Sequence, residues 1–188
     1  MTPSIADTRR VAILDAALAI IESSGVESVS MAHIAEQTGL SRPAIYQYFA
    51  SREHILGELL INDMADLSNE IDRILATVTA PMEQIRLWIH YSLAHMASTE
   101  HMVVREISMT HLREEDRGEM RAMHGYFMTS LISPLRELGV QDPSPVVSMI
   151  FAAVNSAAER IAQGKTFVAE AATLEKFVIA GVESALDF

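Results

Sequence analysis

Apolar residues recur along the chain at three- and four-residue intervals, the period of helices that bury one face. Val11, Leu14, Leu18 and Ile21 predict a first helix over 8–24, stopped at Gly25. Ser30 is placed to cap a second over 31–38, ended by Gly39, and Ser41 a third with Pro43 in its first turn. Ser51 opens a fourth, 52 to about 75, with Ile55, Leu56, Leu59 and Ile71 among its apolar positions. Pro81 opens a fifth, to about 98, and a sixth is predicted over 102–111. A seventh starts near Gly118 and stops before Gly139, bent or broken at Pro134. After the loop 139–145, two last helices run 146 to about 163 and 168 to about 186. No run of alternating β-branched residues and no internal repeat interrupts this pattern. The expected fold is all-α with about nine helices.

Composition narrows the picture further. Of 188 residues 49% are hydrophobic and 21% charged, an ordinary globular balance. Eight Gly and six Pro are too few for a many-stranded sandwich or barrel. Cysteine is absent, which removes disulfides, thiolate metal sites and a Cys nucleophile. Residues 1–10 hold no apolar leader-like stretch. The longest uncharged stretch, 143–158, carries Ser144, Ser148, Asn155 and Ser156 and is too short and polar for a membrane span. The expectation is a soluble, cytoplasmic chain with no membrane partner. A net charge of −11 disfavours a general polyanion binder.

The segment 31–49, MAHIAEQTGLSRPAIYQYF, has the spacing of a helix-turn-helix. Ala35 is small where two helices cross, and Gly39 sits where the chain leaves the helix left-handed. Leu40, Ile45 and Phe49 are expected to point inward. Arg42, Pro43, Ala44, Tyr46, Gln47 and Tyr48 are then left facing outward. Those types suit a major groove: Arg bridges guanine, Gln pairs with adenine, and small apolar surface meets the thymine methyl. Tyr hydroxyls and the helix N-termini at Ser41 and Ser51 suit phosphates. Ser30, Thr38 and Arg52 complete the expected DNA-facing set, with Arg9 and Arg10 as possible flanks of the same surface. Between Gln37 and Arg52 there are two arginines and no acid, so the cationic surface is local. About four to eight phosphate contacts per dimer are expected.

With those residues on the page, 8–60 resembles the N-terminal domain of the TetR family of bacterial transcriptional regulators. The similarity rests on the TRR, IL and AA of 8–17, Ser24–Gly25, IAEQTGLS at 34–41 and IYQYFASRE at 45–53. Beyond Leu60 only length and helix count are similar. The resemblance implies a homodimer on a near-palindromic DNA operator, and a C-terminal domain that binds a small effector and dimerises. It divides the chain into a DNA-binding domain over 1–52 and an effector-binding and dimerisation domain over 53–188.

The last two helices are apolar on more than one face and so need cover on two sides. Val147, Ile150, Phe151, Val154, Ala157 and Ile161 on one, with Leu174, Phe177, Val178 and Gly181 on the other, are the expected four-helix dimer interface. Residues 82–128 hold seven of eleven Met and five of seven His. Trp88, Tyr91, His95, Met96, Met102, Arg105, Met109, Met123 and Phe127 are the expected lining of a pocket for a largely apolar effector. His90 and His95 are five apart and the other histidines are scattered, so no metal and no cofactor is expected. No nucleophile elbow, phosphate loop or dinucleotide glycine pattern occurs, so no enzyme is expected. The functional expectation is a ligand-released repressor; an effector-blind DNA-binding dimer or an activator of the same fold is the alternative.

Overall fold

The computed structural model describes residues 5–186; the leader reading falls partly on 1–4, outside the described residues. Among the described residues there are ten α-helices, two short 3-10 turns and no strand. The helices are α1 (Ile5–Ser24), α2 (Met31–Thr38), α3 (Arg42–Tyr46), α4 (Arg52–Leu75) and α5 (Pro81–Met96). They continue as α6 (Thr99–Val104), α7 (Glu114–Thr129), α8 (Ile132–Leu138), α9 (Pro143–Ala162) and α10 (Phe167–Ser184). No described helix is long and apolar enough to cross a membrane.

Three departures from the sequence pattern have local causes. The predicted helix over 102–111 does not form; α6 ends at Val104 and a 3-10 turn follows over Met109–His111. In one continuous helix Ile107 and Leu112 would lie about 140° apart. The break lets Val104, Ile107 and Leu112 all enter one core. The predicted seventh helix is two, and the chain breaks at residues 130–131 rather than at Pro134 itself. A proline ring collides with the carbonyl four residues earlier, here that of Ser130, so the interruption falls there. Finally, α9 starts earlier than expected, because Asp142 caps it by accepting from the Ser144 amide at 3.3 Å and Pro143 fits its first position.

The chain forms two compact units. The first comprises residues 1–63 with 102–121, and the second 64–101 with 122–188. A single cut at residue 52 therefore does not describe the packing. Ile55, Leu56 and Leu59 of α4 are buried in the first core, and so are Val104, Ile107 and Leu112. That core also holds Ile13, Ala17, Ile20 and Ile21 of α1, Ile34, Ile45 and Phe49. The buried face of α1 is thus centred on Ile13, Ala17 and Ile20, and Val11, expected inside, is 55% exposed. In the second unit α5 packs against α8, α9 and α10 and buries Ile85, Trp88, Ile89 and Leu93.

Candidate nucleic-acid interface

Local chemistry sets the geometry of the reading head. The Ser30 hydroxyl accepts from the His33 amide at 3.1 Å and starts α2. Thr38 ends it: its hydroxyl donates to the Ile34 carbonyl at 2.7 Å and accepts from the Leu40 amide at 3.3 Å. Gly39 follows at φ 69°, a left-handed conformation that turns the chain. The Ser41 hydroxyl accepts from the Ala44 amide at 3.3 Å, and Pro43 sits in the first turn of α3. Inside, Ile45 and Phe49 are fully buried and Leu40 is half-buried against the same core.

What remains outside is narrower than the sequence pattern predicts. Arg42, Pro43, Tyr46 and Gln47 are exposed, Tyr46 by 49%. Ala44 is half-buried. Tyr48 is half-buried and packs against the core, a correction to its outward assignment: it stands at the end of the turn, beside buried Phe49. Thr38 is also assigned differently, since its hydroxyl is already engaged in closing α2. Ser30 and Ser41 are exposed caps, and each hydroxyl, accepting from a backbone amide, keeps its own proton to donate.

The arginines divide into two kinds. Arg52 was expected at a phosphate, but its Nε donates to the Val29 carbonyl and its Nη2 to the Val26 carbonyl, both at 2.8 Å. It braces the loop before α2 from the first turn of α4. Arg10 donates from Nε to Glu58 at 2.7 Å, pairs a second time with the same carboxylate, and lies 4.6 Å from the Phe49 ring centroid. Neither guanidinium is aimed outward. Arg42 is exposed and has no hydrogen-bond or ion-pair partner among the described residues. Arg9 is exposed as well.

The supporting shell of this head adds residues outside the expected DNA-facing set. His54 accepts the Ala50 amide on Nδ1 at 3.1 Å, while its own amide donates to the Ser51 hydroxyl at 3.3 Å. Its pKa is lowered, first by burial and then by the charge of Arg113, so the ring is a neutral acceptor. Gly57 is buried, and a Cβ there would stand 2.5 Å from the Asp116 carboxylate. Asp116 is itself 4% exposed and is gripped by Arg113 through bonds of 2.7 and 2.6 Å. A glycine isolated inside the helical pattern of 52–75 was the available sign of this close approach.

The predicted effector pocket is not assembled as one wall. Met102, Arg105 and Met109 belong to the first unit, and Arg105 and Met109 are exposed there. Trp88, Tyr91, His95, Met96, Met123 and Phe127 belong to the second. Trp88 and Phe127 are buried and stacked at 4.7 Å, with the indole N–H donating to the Ser130 hydroxyl at 2.8 Å. That is core packing, with the one indole donor satisfied. Met123 lines a cleft of about 380 Å3 with Ala65, Ser68, Asn69, Ala122 and Tyr126. The histidines are less scattered than their spacing implies: the rings of His95 and His101 lie 5.0 Å apart.

The predicted dimer face is corrected in the same way. Val147, Ile150, Val154, Ala157, Leu174 and Val178 are buried within the second unit itself. Phe151 and Ile161 are half-buried, with Phe151 set edge-on to His124 at 5.0 Å. Phe177 and Gly181 are exposed, and with them Met149; Phe177 and Met149 are each 68% exposed. A groove of about 560 Å3 between α9 and α10 is lined by Met149 and Phe177 with Ala152, Ala153 and Ser156, and a second of about 330 Å3 continues from the same two side chains past Gly181.

Residues 13–59 match the family described as bacterial regulatory proteins, tetR family. The chain is 32% identical over 84 residues to the HTH-type transcriptional regulator BetI of Agrobacterium fabrum, covering 45% of this chain and 41% of BetI. It is 31% identical over 81 residues to the HTH-type transcriptional repressor KstR of Mycolicibacterium smegmatis, covering 43% and 40%. The matched stretch thus spans about two fifths of these curated relatives. By fold it is similar to the transcriptional regulator FadR from Bacillus subtilis in complex with stearoyl-CoA, with a TM-score of 0.76 and 21% identity over 91% of this chain and 98% of that one. These are regulators of transcription by name, and none is an enzyme.

Proposed function

We propose that the chain is a TetR-family regulator through its amino-terminal domain, that it binds operator DNA as a homodimer in the cytoplasm and that it represses transcription. The single observation that carries this reading is the exposed, partner-free Arg42 beside Pro43, Tyr46 and Gln47 on a helix capped by Ser41. A packing unit has no use for such a cluster, whereas base edges and phosphates do. The overall charge of −11 limits the contact to the small cationic face. Two reading heads about 34–36 Å apart would match one turn of duplex.

The dimer forms through the apolar groove of α9 and α10, recentred from the buried residues onto Met149, Phe177 and Gly181. A small, largely apolar effector releases the DNA by binding better to a conformer in which the two heads are wrongly spaced. The FadR structure with stearoyl-CoA and the cleft beside Met123 support an effector of that kind. The buried Trp88–Phe127 stack favours the second reading, an effector-blind dimer. Thermal-shift titration with long-chain acyl-CoA separates the two: stabilisation supports the sensor and its absence the blind form.

Selection from random duplex DNA tests the central reading. Enrichment of an inverted repeat with half-sites one turn apart is expected. No enrichment even at low ionic strength refutes it.

A further inference from the structure

We propose that His95 and His101 are the paired imidazole ligands of a divalent transition-metal site of the zinc class, in the second unit. His95 lies in the last turn of α5 and His101 in α6, which starts three residues after α5 ends. The Ser98 hydroxyl accepts from the His101 amide at 3.1 Å and caps α6, so the backbone of the junction is fixed where the two rings meet. The ring centroids are 5.0 Å apart with planes inclined by 54°, and one ring nitrogen of each lies within 4.8 Å of the other. Two imidazole nitrogens on one tetrahedral zinc stand about 3.3 Å apart, given Zn–N bonds of about 2.0–2.1 Å.

The chemistry of the pair selects the ion. Both rings are half-buried, which shields a bound cation without sealing it from solvent. The two imidazole nitrogens suit zinc, cobalt, nickel and copper over magnesium or calcium. Two protein nitrogens leave coordination positions for water. The ion would tie the end of α5 to α6. This site does not depend on the DNA reading, and its test involves no DNA.

The experiment uses the full chain freed of metal with a chelator, titrated with zinc by calorimetry and with cobalt by visible absorption. One ion per chain is expected. His95→Gln and His101→Gln should each weaken binding at least tenfold, while His90→Gln, on an exposed ring of the same helix, should leave it unchanged. Uptake by the His95→Gln/His101→Gln double variant equal to that of the wild type overturns the proposal, as does an equal loss in His90→Gln. Nitrogen-15 shifts of the wild-type imidazoles give a reading that needs no variant. Zinc should move His95 and His101, and unmoved signals refute the site.

Discussion

Arg42 and Arg52 are ten residues apart and chemically identical, yet their surroundings give them opposite work. Arg52 makes two charge-assisted bonds to backbone carbonyls at 2.8 Å. Arg52→Ala should cost about 1–3 kcal/mol of stability in urea unfolding, since it strands two acceptors. The salt slope of DNA binding should not change. Arg42→Ala should leave unfolding within about 0.5 kcal/mol of the wild type. It should weaken operator binding and, if Arg42 meets a phosphate, flatten log Kobs against log salt by nearly 2 per dimer. With Arg10 and Arg52 engaged internally, the two exposed arginines among residues 5–60, Arg9 and Arg42, would set about four contacts per dimer, the low end of the sequence expectation. His54 adds a pH dependence. Its folded pKa is depressed below the ordinary histidine value of 6.5, so the unfolded chain binds the extra proton. That contribution is complete above the unfolded value and is lost as pH falls toward the folded one. His54→Gln should remove the corresponding slope of stability as pH falls below about 6.5, read from urea midpoints.

Between elements, α4 and α7 of the first unit meet tightly at Gly57. The Asp116 carboxylate occupies the space a side chain would need, and Arg113 holds it there. Gly57→Ala should therefore destabilise by about 1–3 kcal/mol, an overpacking cost that outweighs the helix propensity gained. Asp116→Ala in the same chain should recover part of the loss, and a double-mutant cycle by chemical denaturation measures the coupling. If the single variant is as stable as the wild type, the contact is slack. Most helix limits were legible because caps are local: Ser30, Ser41 and Ser51 start α2, α3 and α4 where the sequence places them. The short α6 was not legible. Its end depends on Val104, Ile107 and Leu112 sharing a core with α1, a demand made by residues some ninety positions away.

For the molecule as a whole, the exposed apolar groove of α9 and α10 is the feature that a lone chain leaves open to water. Phe177→Asp should shift sedimentation from twice the chain mass of 20.7 kDa toward that mass, and weaken operator binding with it. An unchanged dimer would place the interface elsewhere. The sequence by itself determined the all-helical class, the helix-turn-helix and the cap that fixes each of its turns, because those depend on residues within a few positions of one another. It also carried the similarity to the tetR family over residues 13–59, through motifs confined to one contiguous stretch. Only the tertiary structure decided which face of α9 and α10 is spare, which arginines are braces, that residues 102–121 pack with the first unit, and that His95 meets His101. Each of those outcomes is a competition for partners among surfaces distant along the chain, and a one-dimensional pattern shows that a face is apolar or a side chain charged without showing what reaches it first.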